Sequence, residues 1–347
     1  MSVFEKITQD QVVAKYHPGV EVSGEDWLNL HRNENLLIGP EWTVQAARAL
    51  VESAAIASYP NATSEKVRAA IAEAYGLGPE NIFVGNGSDE VLADLLDLLR
   101  HSYESLGLLD VCFKIYLLLA ERYRYRVEIL PGNTFETGRI AAQGWEGLAV
   151  IDSPNAITSV SWPLETLQEL AQNENSFLIW DNAYGEFAGD VVPPIIQKNM
   201  VMVRTFSKFY GLAGLRVGYC IADEAIVAEL LARKDAFNVN SFAQAMALEA
   251  LRRKEEFEAI RDRLVECRRL LVMRLQSLGF RMHTPAGNFV LATHPDFSAE
   301  LIQNELMKRR IAVRRFDGKP TANYIRITVP PMAGVERLTA ALEEILK

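Results

Sequence analysis

The feature that most constrains this fold is a series of short apolar runs separated by stretches with helical periodicity. Each run ends in glycine or polar residues, and the stretches between them repeat apolar residues every three or four positions. Strands that alternate with helices in this way form a mostly parallel sheet with helices on both faces. We therefore predict an α/β fold, with strands at residues 81–85, 147–152, 177–181, 201–205 and 215–222.

The pattern changes in the last third of the chain. Residues 242–279 predict one long amphipathic helix, because charged residues fill the face that the apolar residues leave. Strands at 288–294 and 323–329 then flank a helix at 298–310, which is typical of a smaller α+β unit. We therefore predict an N-terminal arm with part of the small domain over residues 1–45, a large domain over 46–265 and a small C-terminal domain over 266–347.

Charge and cysteine spacing exclude several classes of protein. A formal net charge of −9 argues against nucleic-acid binding, which needs excess lysine and arginine. Cys112, Cys220 and Cys267 have no spacing typical of a metal site or a disulfide framework, which favours a reducing cytosol. The first residues lack a basic start followed by an apolar core, and no apolar run is long enough for a membrane span. We expect a cytoplasmic protein with no metal, membrane or nucleic-acid partner.

Ligands of open α/β sheets gather at the carboxyl ends of the strands, where this chain carries polar residues. Gly85 and Gly87 follow the first strand and lead into a helix that begins near Ser88 and Asp89, so backbone N–H groups there predict an anion site. The alternative is that Ser88 only caps the helix. Asp181 and Tyr184 follow another strand, where they would face a common ligand or serve as a helix cap and a packed ring.

Lys208 follows the strand at 201–205 and lies in sequence between Phe206 and Phe209. An ammonium among apolar groups has its charged form disfavoured, which is how a nucleophilic amine arises. Thr205, Ser207 and Arg216 would hold a phosphate while Lys208 forms an imine with an aldehyde. Pyridoxal 5′-phosphate combines those two groups, and a carboxylate such as Asp181 would keep its pyridine nitrogen protonated.

An ordered set of motifs then identifies a family resemblance. The motifs are YHPG (16–19), NEN (33–35), YP (59–60), GNGSDE (85–90), SPN (153–155), DNAYGEF (181–187), SKFYGLAGLRVGY (207–219), FNVNS (237–241), GNF (287–289), VRRF (313–316) and IRITV (325–329). Over nearly the whole chain the sequence resembles the fold-type I pyridoxal-phosphate aminotransferases of the class I/II group. Within that group it most resembles the histidinol-phosphate aminotransferases.

The resemblance implies roles for the residues around the cofactor. Lys208 would form the Schiff base and move the substrate proton, Asp181 would bind the pyridine nitrogen and Tyr184 would bind the ring hydroxyl O3′. Phe113 would lie against the pyridine face. The residues implied in binding the remaining cofactor atoms are Gly87, Ser88, Asp89, Thr205, Ser207 and Arg216 for the phosphate, Asn155 in the loop near O3′, and Tyr59 reaching in from the second subunit of a homodimer.

The resemblance also implies a substrate site. Arg326 would clamp the substrate carboxylate, supported by Asn35 and Asn288. Arg314 would meet the substrate's phosphate or the side chain of glutamate, although a basic cluster is also common on a solvated face. Tyr16 matches a lid position. The implied reaction converts histidinol phosphate and 2-oxoglutarate to imidazole acetol phosphate and glutamate, a step of histidine biosynthesis.

Several positions depart from the family pattern. The usual NPNNPTG is SPNAITS here, which places Ala156 where an asparagine binds O3′, so we expect a raised pKa for the cofactor's imine. Asn182 replaces a glutamate, and Arg32 stands where serine is common. The alternatives are an aminotransferase for aromatic or other amino acids, a decarboxylase of an amino-acid phosphate on the same fold, a non-catalytic relative and a cofactor-binding regulator.

Overall fold

The structure is a computed structural model that describes residues 22, 24, 26–51, 57–133, 135, 139–140, 144–189 and 197–347. In these residues the strands are β1 (Leu28–Leu30), β2 (Ile82–Gly85), β3 (Ser105–Leu108), β4 (Arg126–Ile129), β5 (Gly132–Asn133), β6 (Arg139–Ile140), β7 (Gly147–Asp152), β8 (Ser176–Asp181), β9 (Met200–Thr205), β10 (Gly218–Ile221), β11 (Arg281–Met282), β12 (Phe289–Thr293), β13 (Ile311–Arg315) and β14 (Ile325–Thr328).

The helices in the same part of the chain separate most of these strands. They are α1 (Pro40–Val51), α2 (Glu65–Tyr75), α3 (Ser88–Leu99), α4 (Lys114–Arg122), α5 (Leu164–Leu170), α6 (Gly185–Ala188), α7 (Glu224–Arg233), α8 (Ser241–Arg252), α9 (Lys254–Ser277), α10 (Ala299–Lys308) and α11 (Met332–Ile345). Short 3₁₀ helices lie at Pro79–Asn81 and Ala213–Leu215.

Seven of the described strands form the larger sheet, in the order β2-β10-β9-β8-β7-β3-β4. β10 runs antiparallel to both of its neighbours, and the other neighbouring pairs are parallel. β8 and β9 are buried along their whole length, as continuous apolar runs predict for a sheet covered on both faces. The α/β prediction is therefore confirmed.

The sequence-based prediction was wrong at two places in this sheet. It missed β3 and β4, because SLGL contains a glycine and because RVEI is a charged edge strand without an apolar run. It also began β10 too early. Residues 213–215 form a 3₁₀ helix and Arg216 has a φ of +53°, so the chain turns there before the strand begins at Gly218.

The smaller sheet joins the two ends of the described chain. Its order is β1-β13-β14-β12-β11, and β1 pairs parallel with β13 while the remaining pairs are antiparallel. The segment at 28–30 thus belongs to the C-terminal sheet. The domain boundaries near residues 46 and 266 stay a prediction.

The predicted long helix at 242–279 is in fact two helices, α8 and α9. The chain leaves helical geometry at Arg253, whose φ and ψ are −102° and 24°. The Arg253 guanidinium donates hydrogen bonds of 2.7 and 2.6 Å to Glu256 in the first turn of α9. An amphipathic pattern runs through such a break unchanged, so periodicity alone does not reveal it.

Parallel strands bring their carboxyl ends to one edge of the larger sheet. Asp152 at the end of β7 lies opposite Asp181 at the end of β8, and Asp181 lies opposite Val203 near the end of β9. No helix in the described part of the chain is long and apolar enough to cross a membrane.

Candidate active site

A cavity of about 620 Å³ lies at this edge, between the larger sheet and residues 314–326 of the smaller one. It brings together most of the residues singled out in the sequence. Those that line it are Ser88, Asp89, Phe113, Asp181, Tyr184, Thr205, Ser207, Lys208, Arg216, Arg314 and Arg326.

One end of the cavity is an anion cradle at the start of α3. Gly87 is the N-cap, with a φ of +87° and no side-chain cap on the helix, so Ser88 is the first helical residue and not the cap. The first-turn N–H groups of a helix favour an anion. Arg216 lies beside them, because its Nη2 is 2.9 Å from Asp89 Oδ2 and its Nη1 is 3.4 Å from Ser207 Oγ.

Glycine is required where β10 passes this cradle. A Cβ on Gly218 would lie 2.2 Å from the Ser88 backbone nitrogen and 2.4 Å from the Gly87 carbonyl carbon. A Cβ on Gly87 would lie 2.5 Å from Arg216 Nη2. The two glycines therefore let the strand, the helix start and the guanidinium approach one another closely.

Asp181 also lines the cavity and is 5% exposed. Its Oδ2 accepts a 2.7 Å hydrogen bond from the Tyr116 hydroxyl, and its Oδ1 accepts one of 3.1 Å from the Ala183 N–H. Burial raises the pKa of Asp181 to about 6, against the lowering effect of these two hydrogen bonds. The carboxyl group is thus mainly ionised at neutral pH and fixed in direction.

Lys208 lines the same cavity. Phe206 and Phe209, its neighbours in sequence, are 0% and 2% exposed and pack into the core, so they do not surround the amine as the sequence suggested. The Lys208 Nζ instead donates a 3.3 Å hydrogen bond to the Arg32 carbonyl. It also lies 5.5 Å from the centre of the Tyr184 ring.

Tyr184 is held by residues from the smaller sheet and the N-terminal segment. Its hydroxyl accepts a 3.1 Å hydrogen bond from Asn33 Nδ2, and its ring meets Phe289 edge-on at 5.1 Å. A hydroxyl that already accepts one hydrogen bond keeps its own proton to donate. Tyr184 is therefore arranged to donate into the cavity.

Arg326 and Arg314 line the cavity on the side of the smaller sheet. The Arg326 guanidinium lies 5.2 Å from the ring centres of both Phe289 and Phe316. It donates hydrogen bonds of 2.7 Å to the Ala156 carbonyl and 3.2 Å to the His31 carbonyl. Arg314 lies 5.8 Å from the Phe316 ring, so one ring contacts both guanidinium groups.

Six of the residues singled out in the sequence do not line the cavity or cannot be placed. The Asn155 amide is used within its own loop, where it contacts the Val111 carbonyl, Asp152 and the N–H groups of residues 157 and 158; we therefore assign it to the loop and not to the cofactor. Gly87, Asn35 and Asn288 are not among the residues that line the cavity. Tyr59 is 82% exposed and its ring stacks on that of Phe237. Tyr16 lies outside the described residues.

Three site residues were missed in the sequence. Tyr116 lies three positions after Phe113 and points at Asp181, but a tyrosine in an apolar helix carries no signal of such a contact. Within NEN the family resemblance points to Asn35, which donates to the Phe209 carbonyl, whereas it is Asn33 that contacts Tyr184. Asp152 ends the predicted strand at 147–152, and it also lines the cavity.

The charge around the cavity differs from that of the chain as a whole. Among the described residues, eight basic and six acidic side chains line it, whereas the whole chain has a formal net charge of −9. The basic side chains are Arg32, Lys114, Lys208, Arg216, Arg314, Arg315, Lys319 and Arg326. An anionic ligand would therefore be attracted to this cavity.

Known structures share this fold. The histidinol-phosphate aminotransferase of Sinorhizobium meliloti, solved in complex with pyridoxal 5′-phosphate, has a TM-score of 0.81 at 23% identity, covering 92% of this chain and 90% of that one. The L-threonine-O-3-phosphate decarboxylase of Porphyromonas gingivalis has a TM-score of 0.79 at 20% identity, covering 92% and 99%. At these identities the likeness concerns the fold alone.

Sequence comparison identifies the family. Histidinol-phosphate aminotransferase 2 of Thiobacillus denitrificans is 34% identical over 95% of this chain and 94% of its own. The histidinol-phosphate aminotransferase of Geobacter sulfurreducens is 32% identical over 96% and 97%. The model of the family "Aminotransferase class I and II" matches residues 25–345. The chain therefore belongs to the class I and II aminotransferases.

Proposed function

We propose that this protein is a pyridoxal-phosphate-dependent aminotransferase that converts histidinol phosphate and 2-oxoglutarate to imidazole acetol phosphate and glutamate. The observation that carries the proposal is the convergence of an amine, a buried carboxylate and an anion cradle on one cavity. Asp181 ends β8, Lys208 follows β9 and Arg216 precedes β10, and all three line this cavity. The names of relatives at 30% identity and above support the choice of substrate.

The donor set fits the cofactor at three points. The uncapped start of α3, Ser207 and Arg216 offer N–H, hydroxyl and guanidinium donors to a phosphate. Asp181 would face the pyridine nitrogen and Tyr184 would donate to O3′. Phe113 lines the cavity, where its ring lies 5.8 Å from that of Tyr116 in an edge-on contact, and it would offer an aromatic face to the pyridine ring.

The bound cofactor would supply an electron sink for the substrate carbanion. Lys208 would bind it covalently and then act as the base that moves the proton from the substrate Cα. Asp181 would stay ionised against the pyridinium, because Tyr116 and the Ala183 N–H stabilise its negative charge. Arg326 would hold the α-carboxylate of glutamate.

The basic rim of the cavity supports a phosphorylated substrate. Arg314 and Arg326 both contact the Phe316 ring, so a second anion would bind close to the carboxylate site. Glutamate and histidinol phosphate would then use the same pair of guanidinium groups with different anions.

We also propose a homodimer in the cytosol. Tyr59 and Phe237 are 82% and 44% exposed and stack at 4.5 Å, which is an unusual aromatic pair to leave in water. A second subunit would cover it and use Tyr59 near its own cofactor phosphate. The three cysteines are free, as a reducing compartment favours.

A coupled assay of glutamate formation tests the proposal. We expect histidinol phosphate to be used with a KM about tenfold below that of histidinol, and Arg314→Gln to remove most of this difference because it deletes a phosphate donor. Arg281→Gln, an exposed arginine outside the cavity, serves as the control.

Other outcomes would contradict the proposal. Activity only with aromatic amino acids would favour a different aminotransferase, and release of carbon dioxide without a 2-oxo acid would favour a decarboxylase. The same preparation should sediment as a dimer, and a fully active monomer would exclude a shared site.

A further inference from the structure

The loop after β7 places the backbone of one residue, Ala156, between a carboxylate and a guanidinium. The Ala156 N–H donates a 2.8 Å hydrogen bond to Asp152 Oδ2. The carbonyl of the same residue accepts the 2.7 Å hydrogen bond from Arg326 Nη1. Asp152 and Arg326, which belong to different sheets, are therefore connected through a single residue.

Asp152 is built into the loop as its anchor. It is 2% exposed, and its Oδ1 accepts a second hydrogen bond of 2.9 Å from Asn155 Nδ2. The Asn155 Oδ1 in turn accepts from the N–H groups of Ile157 and Thr158 at 3.0 and 2.8 Å. A carboxylate that accepts from backbone and amide N–H groups forms strong, directed hydrogen bonds. The path of residues 155–158 thus depends on the Asp152 carboxylate.

The direction of Arg326 depends in turn on that path. Its guanidinium lies 5.2 Å from the ring centres of Phe289 and Phe316, and it donates hydrogen bonds to the carbonyls of His31 and Ala156. A two-pronged bond to a carboxylate requires the guanidinium plane within narrow limits, because both N–H groups must point at both oxygens. A shift of the Ala156 carbonyl would therefore turn the Arg326 guanidinium away from the substrate carboxylate.

We propose that Asp152 is a positioning residue for the carboxylate subsite, acting through the backbone of Ala156 on the guanidinium of Arg326. The proposal rests on the proposed function, in which Arg326 holds the substrate carboxylate. It assigns to Asp152 an effect on carboxylate affinity and not on the chemical step.

Several titratable groups face Asp152 from the surrounding elements. Asp181 lies opposite it on β8, Cys112 and Asp110 lie between β3 and α4, and Tyr116 lies on α4. Burial, followed by the charge of Asp181, raises the pKa of Asp152 to about 7, although the Ala156 N–H opposes the shift. The carboxylate form is therefore complete only above pH 7 and is lost as the pH falls through 7.

Binding of succinate to the holoenzyme tests the proposal, because succinate carries carboxylates but no amine. In Asp152→Asn, calorimetry should show a succinate Kd about tenfold higher, because an amide cannot accept from both N–H groups that the carboxylate holds. KM for glutamate should rise by a similar factor while kcat stays within about twofold. In the wild type, succinate affinity should fall from pH 8 to pH 6, and this dependence should be absent from the variant.

Asp94→Asn is the matched control, since Asp94 also has a pKa raised to about 7 by burial but does not line the cavity. It should keep the wild-type Kd and pH profile. An unchanged succinate Kd in Asp152→Asn would overturn the proposal, as would a wild-type affinity that does not vary with pH, a test that needs no variant to fold. Failure of the proposed function would show instead as no turnover of histidinol phosphate by the wild type.

Discussion

Lys208, Asp181 and Arg216 give the cavity an amine, a buried carboxylate and a guanidinium, which are the groups on which the proposed chemistry depends. Lys208 and Asp181 were predicted because each lies at the end of an apolar run, whereas Arg216, which lies inside the predicted strand at 215–222, was predicted as a phosphate ligand beside Lys208. Tyr116 and Asn33 could not be predicted, because their hydrogen bonds to Asp181 and Tyr184 join segments 65 and 151 positions apart. Contacts of that kind depend on tertiary packing, about which a single sequence carries no direct signal.

Ala156 stands where the family resemblance implies an asparagine that binds O3′, and the neighbouring Asn155 uses its amide within its own loop. Ala156→Asn should restore a donor to O3′, which stabilises negative charge there and lowers the pKa of the cofactor's chromophore. We expect the pH midpoint of the visible band to fall by about one unit, the equivalent of one hydrogen bond.

Ala340→Asn, on the exposed side of α11 and outside the cavity, should leave the midpoint where it is in the wild type. An equal midpoint in Ala156→Asn and wild type would mean that position 156 does not reach O3′.

At the scale of elements, buried strands were predicted well and irregular connections poorly. The predicted strand GLAVID matches β7 at both ends, because a continuous apolar run begins and ends where the buried part of the strand does. The turn at Arg216 was missed, since its positive φ follows from the approach of β10 to α3 and not from local sequence.

That approach gives a sharp test within one motif. Gly218→Ala would press its Cβ against the backbone of Gly87 and Ser88, so β10 and the start of α3 must separate. We expect the cofactor Kd to rise at least tenfold and the free energy of unfolding to fall by about 1–3 kcal/mol.

Gly214→Ala is the control in the same motif, because a Cβ there meets nothing within 4 Å. Cofactor titration measures the Kd of both variants, and thermal unfolding compares their stability. Equal behaviour of the two variants would show that the close approach at Gly218 is not needed for the anion cradle.

At the scale of the whole molecule, the cavity exists because one loop joins the two sheets. Ser159 accepts hydrogen bonds from the N–H groups of Ala286 and Gly287, at 2.7 and 2.8 Å, and Arg326 reaches across to Ala156. The sequence predicted both sheets but not how they meet, because the joining contacts, which include these hydrogen bonds and the ring contact of Tyr184 with Phe289, link residues more than a hundred positions apart. The family resemblance alone suggested that Arg326 and Lys208 would share a site.

The most direct test of the central claim is the absorption spectrum of the holoenzyme mixed with a single amino donor and no 2-oxo acid. We predict that glutamate and histidinol phosphate each convert the visible band to that of the amine form of the cofactor, and that 2-oxoglutarate restores it. Lys208→Ala should bind the donors without this conversion. A wild-type spectrum that no amino donor changes would contradict the claim that this cavity performs transamination.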